Sequence, residues 1–385
     1  MSMPLQVIVT DAEELSVLAV CRALGRAGYL VTAVSGKPGA ASHWSRTVRR
    51  SVVGPPPIDD PDGFVELLRT LVQGGEYAAL MHGGEGSLLA ISERRSTLEP
   101  HVRLGLPSHD AVLRGVDRVG LLELAGQVGL PPPDSAVCAD RDEAYQAVAR
   151  VGFPVAVKPA RSLLPINGSL EHRSLTVVED EEELATALDD YSPPFVLQRF
   201  EPVVSVLSCS GLYAGGRLLG ANTSRSRRTY PPEAGTFSLV ETIAPPNGVV
   251  DRVEALLGKM GWQGLFQADI LETADGRLGL VDFNPRPWRS LALDVHAGVN
   301  LPALWCDWLL GKDPAPARGR PGHRFRWEAG EARHALWQLR RGRVLAAAAV
   351  LRPRRRTTHS VFSLADPGPF ASRIVNRLRR SPGRR

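Results

Sequence analysis

The sequence predicts an α/β unit, then a mixed run of strands and helices, and last a basic, partly helical C-terminal extension. Three observations predict this order. They are a β-α-β opening with apolar strands, a proline-punctuated alternation of short strands and helices through the middle, and two strands flanking an Asp-Gly turn. The 385 residues, 43% of them hydrophobic and 23% charged, suffice for two or three packed units.

Taken in chain order, residues 6–10 read as a buried strand, 13–26 as an amphipathic helix ended by Gly28, and 29–34 as a second strand. The helix-like Pro61–Val72 and the apolar Tyr77–Met81 add a further unit, so an open parallel sheet with helices on its faces is expected. The first turn, Thr10-Asp11-Ala12-Glu13-Glu14, contains no glycine. Without glycines to let the backbone approach a pyrophosphate, a dinucleotide site is excluded there. Pro131-Pro132-Pro133 separates a helix at 117–128 from one at Arg141–Val151, and a strand at 154–158 follows. After Pro193-Pro194 come the strand Phe195–Arg199 and a hairpin of 204–213 with 217–223 that turns at Gly215-Gly216. Strands at 265–271 and Leu278–Asn284 flank Asp275-Gly276, and a helix at 301–310 closes the core. Residues 313–321 read as a Pro/Gly-rich linker and 331–351 as helical. The expected divisions are therefore 1–112, 113–194, 195–312 and 313–385.

Composition narrows the class. The four cysteines, Cys21, Cys138, Cys209 and Cys306, lie far apart with no CxxC spacing, which indicates neither a zinc knuckle nor a disulfide framework and fits a reducing, cytoplasmic setting. No basic leader precedes the apolar Val7-Ile8-Val9, and no run reaches the ~18 apolar residues of a spanning helix, so no membrane span is expected. From Asp313 onward eighteen arginines face four acids, a balance of +14; with +5 overall, the first 312 residues carry −9. Such a tail suits nucleic acid or an anionic membrane surface, or is a solvated arginine-rich cap. It lacks the interleaved aromatics and glycines of single-strand binders, which argues against nucleic acid.

The Asp-Gly hairpin carries the strongest constellation. Asp282 and Asn284 are two apart on one strand and share a face, where Asp269 on the antiparallel partner meets them. Two carboxylates and an amide oxygen make a hard-oxygen site suited to Mg²⁺, and Arg286 just beyond adds a planar donor fork for phosphate. The flanking Leu278, Leu280, Val281 and Phe283 imply burial, and buried acids need partners.

Here the sequence resembles a known family. Gly264-Leu-Phe-Gln-Ala-Asp-Ile through Asp282-Phe-Asn-Pro-Arg-Pro-Trp is similar to the metal-binding hairpin of the ATP-grasp superfamily, with Asp where relatives usually have Glu. The resemblance implies Asp269, Asp282 and Asn284 as Mg²⁺ (or Mn²⁺) ligands and Arg286 as the reader of nucleotide or acyl phosphate. Phe153-Pro-Val-Ala-Val-Lys158-Pro-Ala resembles the strand whose lysine contacts the ATP phosphates. Phe195-Val-Leu-Gln198-Arg199-Phe200-Glu201 is similar to the hinge strand on which adenine lies. It implies that Gln198 meets the exocyclic amine, that the backbone of Arg199, Phe200 and Glu201 reads the ring edge, and that Val157 and Leu197 wall the pocket. Arg118 stands where relatives commonly have a phosphate-reaching lysine. The loop at 161–173 has one glycine, Gly168, where many relatives have a glycine-rich flap; Arg161, Ser162, His172 or Arg173 could cover the triphosphate instead.

Two further clusters face substrate in this reading. Arg225, Arg227 and Arg228 resemble an active-site segment of the carboxylate–amine ligase branch, and Arg225 and Arg228 suit a carboxylate or γ-phosphate. His82-Gly-Gly-Glu85-Gly-Ser87 is either a tight glycine turn or a site at which Glu85 holds a substrate ammonium. His296 reads as a satisfied core histidine.

The resemblance, which extends to biotin carboxylase, D-alanine–D-alanine ligase and carbamoyl-phosphate synthetase cores, covers about residues 5–312. It implies a Rossmann-like pre-ATP-grasp domain, a small lid lobe and a large α+β lobe, with ATP between the two lobes. It also implies a ligase joining a carboxylate to an amine through an acyl phosphate, with small-molecule substrates and a homodimer allowed. The competing readings are a non-catalytic ATP-binding module and a bicarbonate-using carboxylase or carbamoyl-phosphate enzyme. The basic tail is expected to be dispensable for nucleotide binding.

Overall fold

The computed structural model describes residues 4–161, 163–166, 169–172, 175–200, 205–232, 236–246, 248–273 and 276–379. Its first unit is a five-stranded parallel sheet in which Gln6–Val9 is central, with Leu30–Ser35 and Val48–Val53 on one side and Tyr77–Met81 and Arg103–Gly105 on the other. Parallel strands need crossovers, and the helices Leu15–Arg26, Pro61–Val72 and Glu85–Glu93 lie between them in sequence. Val7, Ile8, Val9, Val31 and Leu80 are fully buried, as expected for strands covered on both faces.

The small lobe is a four-stranded antiparallel sheet, Thr176–Val178, Val155–Pro159, Phe195–Arg199 and Ser135–Cys138 in that order. Helices Arg141–Val151 and Glu181–Asp189 cover one face. Asp140 and Asp180 cap them by accepting from the Glu143 and Glu183 N–H groups. Because Phe195–Arg199 pairs with Val155–Pro159 along its length, this lobe runs past the expected division at 194.

The large sheet has Leu278–Asn284 at one edge, followed by Gly264–Glu272, Ser205–Ala214, Arg217–Tyr230, Thr236–Thr242, Arg324–Arg326 and Thr357–His359. Helix Val249–Met260 packs Val253, Leu256 and Leu257 into one core with Leu207, Phe266, Ala268 and Ile270. Burying a side chain such as Phe266 contributes roughly 1.5–3 kcal/mol. The alternating residues Ser208, Ser210 and Asp269 face the other way, which separates an apolar face from a polar one.

The C-terminal segment differs from expectation. Within the expected linker, Ala317–Arg318 pairs with Gly220 and Ala221, and Arg324–Arg326 extends the sheet beside Thr236–Thr242. The large sheet therefore crosses the expected boundary at 313. The helical stretch breaks at Gly342 into Glu328–Arg340 and Val344–Leu351. Asp366 returns to the first helix, where it accepts from Arg22 Nε at 2.8 Å with both side chains buried.

Candidate active site

Register along the Asp-Gly hairpin brings the predicted oxygen donors together. Asp269 pairs with Asp282 and Gln267 with Asn284, with a bulge between Asp269 and Ile270. Asn284 Nδ2 donates to Asp269 Oδ2 at 3.4 Å, and Ser208 on the next strand donates to Asp269 Oδ1 at 2.6 Å. Burial is the main force raising the Asp269 carboxyl to about 7. The Ser208 hydrogen bond, Arg286 and Lys158 oppose it, and Asp282 adds to it. Arg286, half-buried, makes one long hydrogen bond, to the Pro287 carbonyl at 3.4 Å. The end of this strand is tied to the N-terminal sheet: His82 Nε2–H donates to the Pro285 carbonyl at 3.0 Å.

From the other side the small lobe presents its cation. Lys158 is buried and donates to Gln198 Oε1 at 2.6 Å and to the Val281 carbonyl at 3.1 Å. Arg118 opens the helix Arg118–Gln127, donates to the Pro159 carbonyl at 2.9 Å and stands 3.8 Å from the Asp282 carboxylate. Arg118, Leu121, Lys158, Val196, Gln198 and strand residues 280–283 line a small cavity between the two lobes. Three elements distant in sequence thus deliver two cations and a carboxylate to one place.

Strand parity corrects the expected pocket walls. Val157 and Leu197 are fully buried in the core beneath the small lobe's helices, with Val148, Leu184 and Leu188. Side chains alternate, so Lys158, Val196 and Gln198 turn to the cleft instead. The hinge backbone is partly committed as well, because Arg199 N–H donates to the Asp134 carbonyl at 2.7 Å and Phe200 N–H to Pro154 at 2.9 Å. Those two amides are spent within the lobe and do not read a ring edge; Glu201 lies outside the described residues.

Two expected catalytic arginines are otherwise engaged. Arg225 pairs with Leu207 in the ladder and so belongs to the face opposite Asp269, where it donates to Glu272 Oε2 at 2.7 Å. Arg228 follows a bulge and bonds the buried Glu331 of the C-terminal segment, which also accepts from Ser238 at 2.8 Å. A guanidinium held by a buried carboxylate is neutralised in place. Neither arginine meets the oxygen cluster.

Of the expected flap residues, Ser162, Gly168 and Arg173 lie outside the described residues, as does Asp275 of the turn. Leu163–Ile166 and Ser169–His172 form a two-stranded ladder, and Arg161 is exposed. The glycine-turn reading at 82–87 holds locally, since a Cβ on Gly83 would sit 2.4 Å from the Thr10 carbonyl, and Gly83 N–H and Ser87 Oγ both bond Asp11. Glu85 begins the helix Glu85–Glu93. His296 is exposed and stacks edge-on against His323, with ring centroids 5.1 Å apart, rather than sitting in the core.

Sequence reasoning missed two supports of the polar face. One is Ser208, and the other is Asp294, which is buried and accepts from Ser210, Asn222 and the Trp288 indole at 2.7–2.9 Å. The period-two run Ser208, Ser210 within an otherwise apolar strand was the available signal.

Among the described residues no group of three or more His, Cys, Asp and Glu side chains forms a metal site. The hairpin set has two carboxylates and one amide, and its chemistry fits a hard divalent cation. Burial and the neighbouring Asp282 raise the Asp269 carboxyl, and the charge of a divalent ion would favour its ionised form.

Comparison with known proteins agrees with this architecture. The sequence matches no family model. It is 26% identical over 305 residues to the carbamoyl phosphate synthase large chain of Thermus thermophilus, which covers 75% of this chain but only 28% of that protein. Among solved structures, an L-amino acid ligase from Bacillus licheniformis superimposes with a TM-score of 0.59 at 14% identity, covering 80% of this chain and 75% of that one. The biotin carboxylase domain of Hydrogenobacter thermophilus 2-oxoglutarate carboxylase, crystallised with MgADP, ADP and bicarbonate, gives 0.64 at 13% identity, covering 84% and 74%. The fold is shared with both of these solved structures over four-fifths or more of this chain.

Proposed function

We propose that the chain is an ATP- and Mg²⁺-dependent ligase that activates a carboxylate and joins it to an amine. The observation that carries the reading is the convergence of Lys158 and Arg118 on the strand that bears Asp282, beside Asp269, Asn284 and Arg286. In this site Lys158 and Arg118 meet the nucleotide phosphates, while Val196 and Gln198 border the base. Asp269, Asp282 and Asn284 hold the divalent ion, which when bound neutralises the γ-phosphate oxygens. Arg286 orients the attacking carboxylate. Its oxygen displaces ADP from the γ-phosphorus to give an acyl phosphate and ADP. The amine then adds to the acyl carbon, loses a proton, and expels inorganic phosphate as the amide forms. No enzyme nucleophile is needed.

Two similarities support the reading, one to an L-amino acid ligase and one to a carbamoyl phosphate synthase large chain. The biotin carboxylase domain in complex with MgADP and bicarbonate keeps bicarbonate among the candidate acids. The test is phosphate release with ATP, Mg²⁺ and a panel of acids with hydroxylamine as the trapping amine. A hydroxamate that forms only with acid, ATP and Mg²⁺ together supports the ligase. Tight ATP binding with no hydroxamate from any acid, bicarbonate included, would favour a non-catalytic module.

A further inference from the structure

The helix Val344–Leu351 has the sequence VLAAAAVL, apolar on every side. Helices of that kind belong under cover. Here only Ala347 and Val350 are buried against the helix Glu328–Arg340. Val344 is 63% exposed, Leu345 87% and Leu351 58%, and the neighbouring helix adds Leu336 and Leu339, each about half exposed. In sequence this helix is flanked by seven arginines between residues 340 and 356, and no acid occurs from 332 to 365. None of those seven guanidiniums has an ion-pair partner among the described residues, and the Arg341 guanidinium carbon lies over Trp337, 3.8 Å from the ring centroid.

Charge decides what covers this apolar ridge. A second copy docked by the same face would set arginines against arginines. A nucleic acid would take the arginines and leave leucines in water. The lipid–water boundary of an anionic bilayer satisfies both, with arginines at the headgroup phosphates and Leu345, Leu351 and Val344 in the acyl boundary. We propose that this helical hairpin docks the protein on anionic membrane surfaces. The helix is about 12 Å long, so it lies in the interface plane. No helix among the described residues is long and apolar enough to cross a membrane, so the contact is peripheral.

The test is flotation of the full chain with vesicles of phosphatidylcholine alone and of phosphatidylcholine with about one-third phosphatidylglycerol. The wild type is expected to float with the anionic vesicles and not with the neutral ones. Leu345→Gln with Leu351→Gln, which keeps the charge and changes only exposed side chains, is expected to lower binding about tenfold or more. Arg354→Gln with Arg355→Gln should lower it further. Failure of the wild type to float, or flotation indifferent to the glutamine pair, overturns the proposal. So does a wild-type dimer in sedimentation that the glutamine pair dissociates, or duplex DNA held more tightly than the anionic vesicles. The outcome does not depend on whether the chain is a ligase.

Discussion

Lys158 crosses from the small lobe to donate a 3.1 Å hydrogen bond to the Val281 carbonyl on the edge strand of the large sheet. The lysine that would meet the phosphates therefore also closes the cleft, and nucleotide must exchange those bonds for its own oxygens. Burial first, with Arg118 adding to it and Asp282 and Asp269 opposing, lowers the ammonium to about 8. ATP needs the charged form, so affinity should fall as pH rises through about 8. By pH 9 about a tenth of the lysine stays protonated, and Kd should weaken about tenfold. Lys158→Arg stays charged and should flatten that profile. Titration calorimetry from pH 7 to 9 reads both; a flat wild-type profile removes Lys158 from the phosphate site.

The metal assignment is tested by pairing activity with stability. Asp282→Ala and Asn284→Ala should each abolish Mg²⁺-dependent turnover and shift stability by less than about 0.5 kcal/mol, since the Asp282 side chain is 41% exposed. Asp269→Asn should likewise abolish turnover yet stabilise the metal-free protein. The Asp269 carboxyl sits at about 7, so the folded state favours its protonated form. Its contribution is present below the ordinary carboxylate value and lost as pH rises through about 7. At pH 8 the asparagine variant should be more stable by on the order of 1–2 kcal/mol. Equal melting of the two proteins at pH 8 would count against the buried-charge account, and retained turnover against the metal site.

Strand parity in the small lobe gives a third test. Val196→Phe fills the cleft face and should weaken nucleotide binding about tenfold or more. Val157→Ala opens the core on the other face and should cost about 2 kcal/mol of stability with Kd unchanged. The reverse pattern would restore the walls expected from sequence.

That parity was illegible for a physical reason. Val155–Pro159 and Phe195–Arg199 are buried on both faces over most of their length, so no polar alternation marks which side meets the cleft. Leu278–Asn284 was legible to the residue because its Asp-Gly turn and the Asp282/Asn284 spacing both fix register. Arg217–Tyr230 read as ending near 223, since Arg225, Arg227 and Arg228 look like a loop until Glu272, Glu241 and Glu331 are seen to pair with them. Ala317–Arg318 and Arg324–Arg326 are two and three residues long and carry no period at all. Only tertiary pairing makes them strands.

Those short strands alter the expectation for the basic tail. Arg22 is buried in the first helix, and its guanidinium donates to Asp366 Oδ2 and to the carbonyls of Val361 and Asp366 at 2.8–3.0 Å. Ser45 Oγ and Arg46 N–H complete the carboxylate's shell. Truncation at 313–321 would strip the cover from strand Thr236–Thr242 and leave Arg22 buried without a counter-charge. The truncated chain should therefore aggregate or melt early rather than bind nucleotide as an intact core. Asp366→Ala isolates the ion pair and should cost about 3 kcal/mol, as removal of one partner of a buried pair does. Burial alone would raise the Asp366 carboxyl, but the hydrogen bonds from Ser45, Arg22 and Arg46 outweigh it and hold it below its ordinary value. A depressed carboxyl contributes stability above the ordinary value and loses it as pH falls through the depressed one. The wild type should then lose stability relative to Asp366→Ala only below about pH 4. A melting series from pH 3 to 7 on both proteins checks this, and curves that stay parallel down to pH 3 would show that the pair does not lock the tail to the first helix.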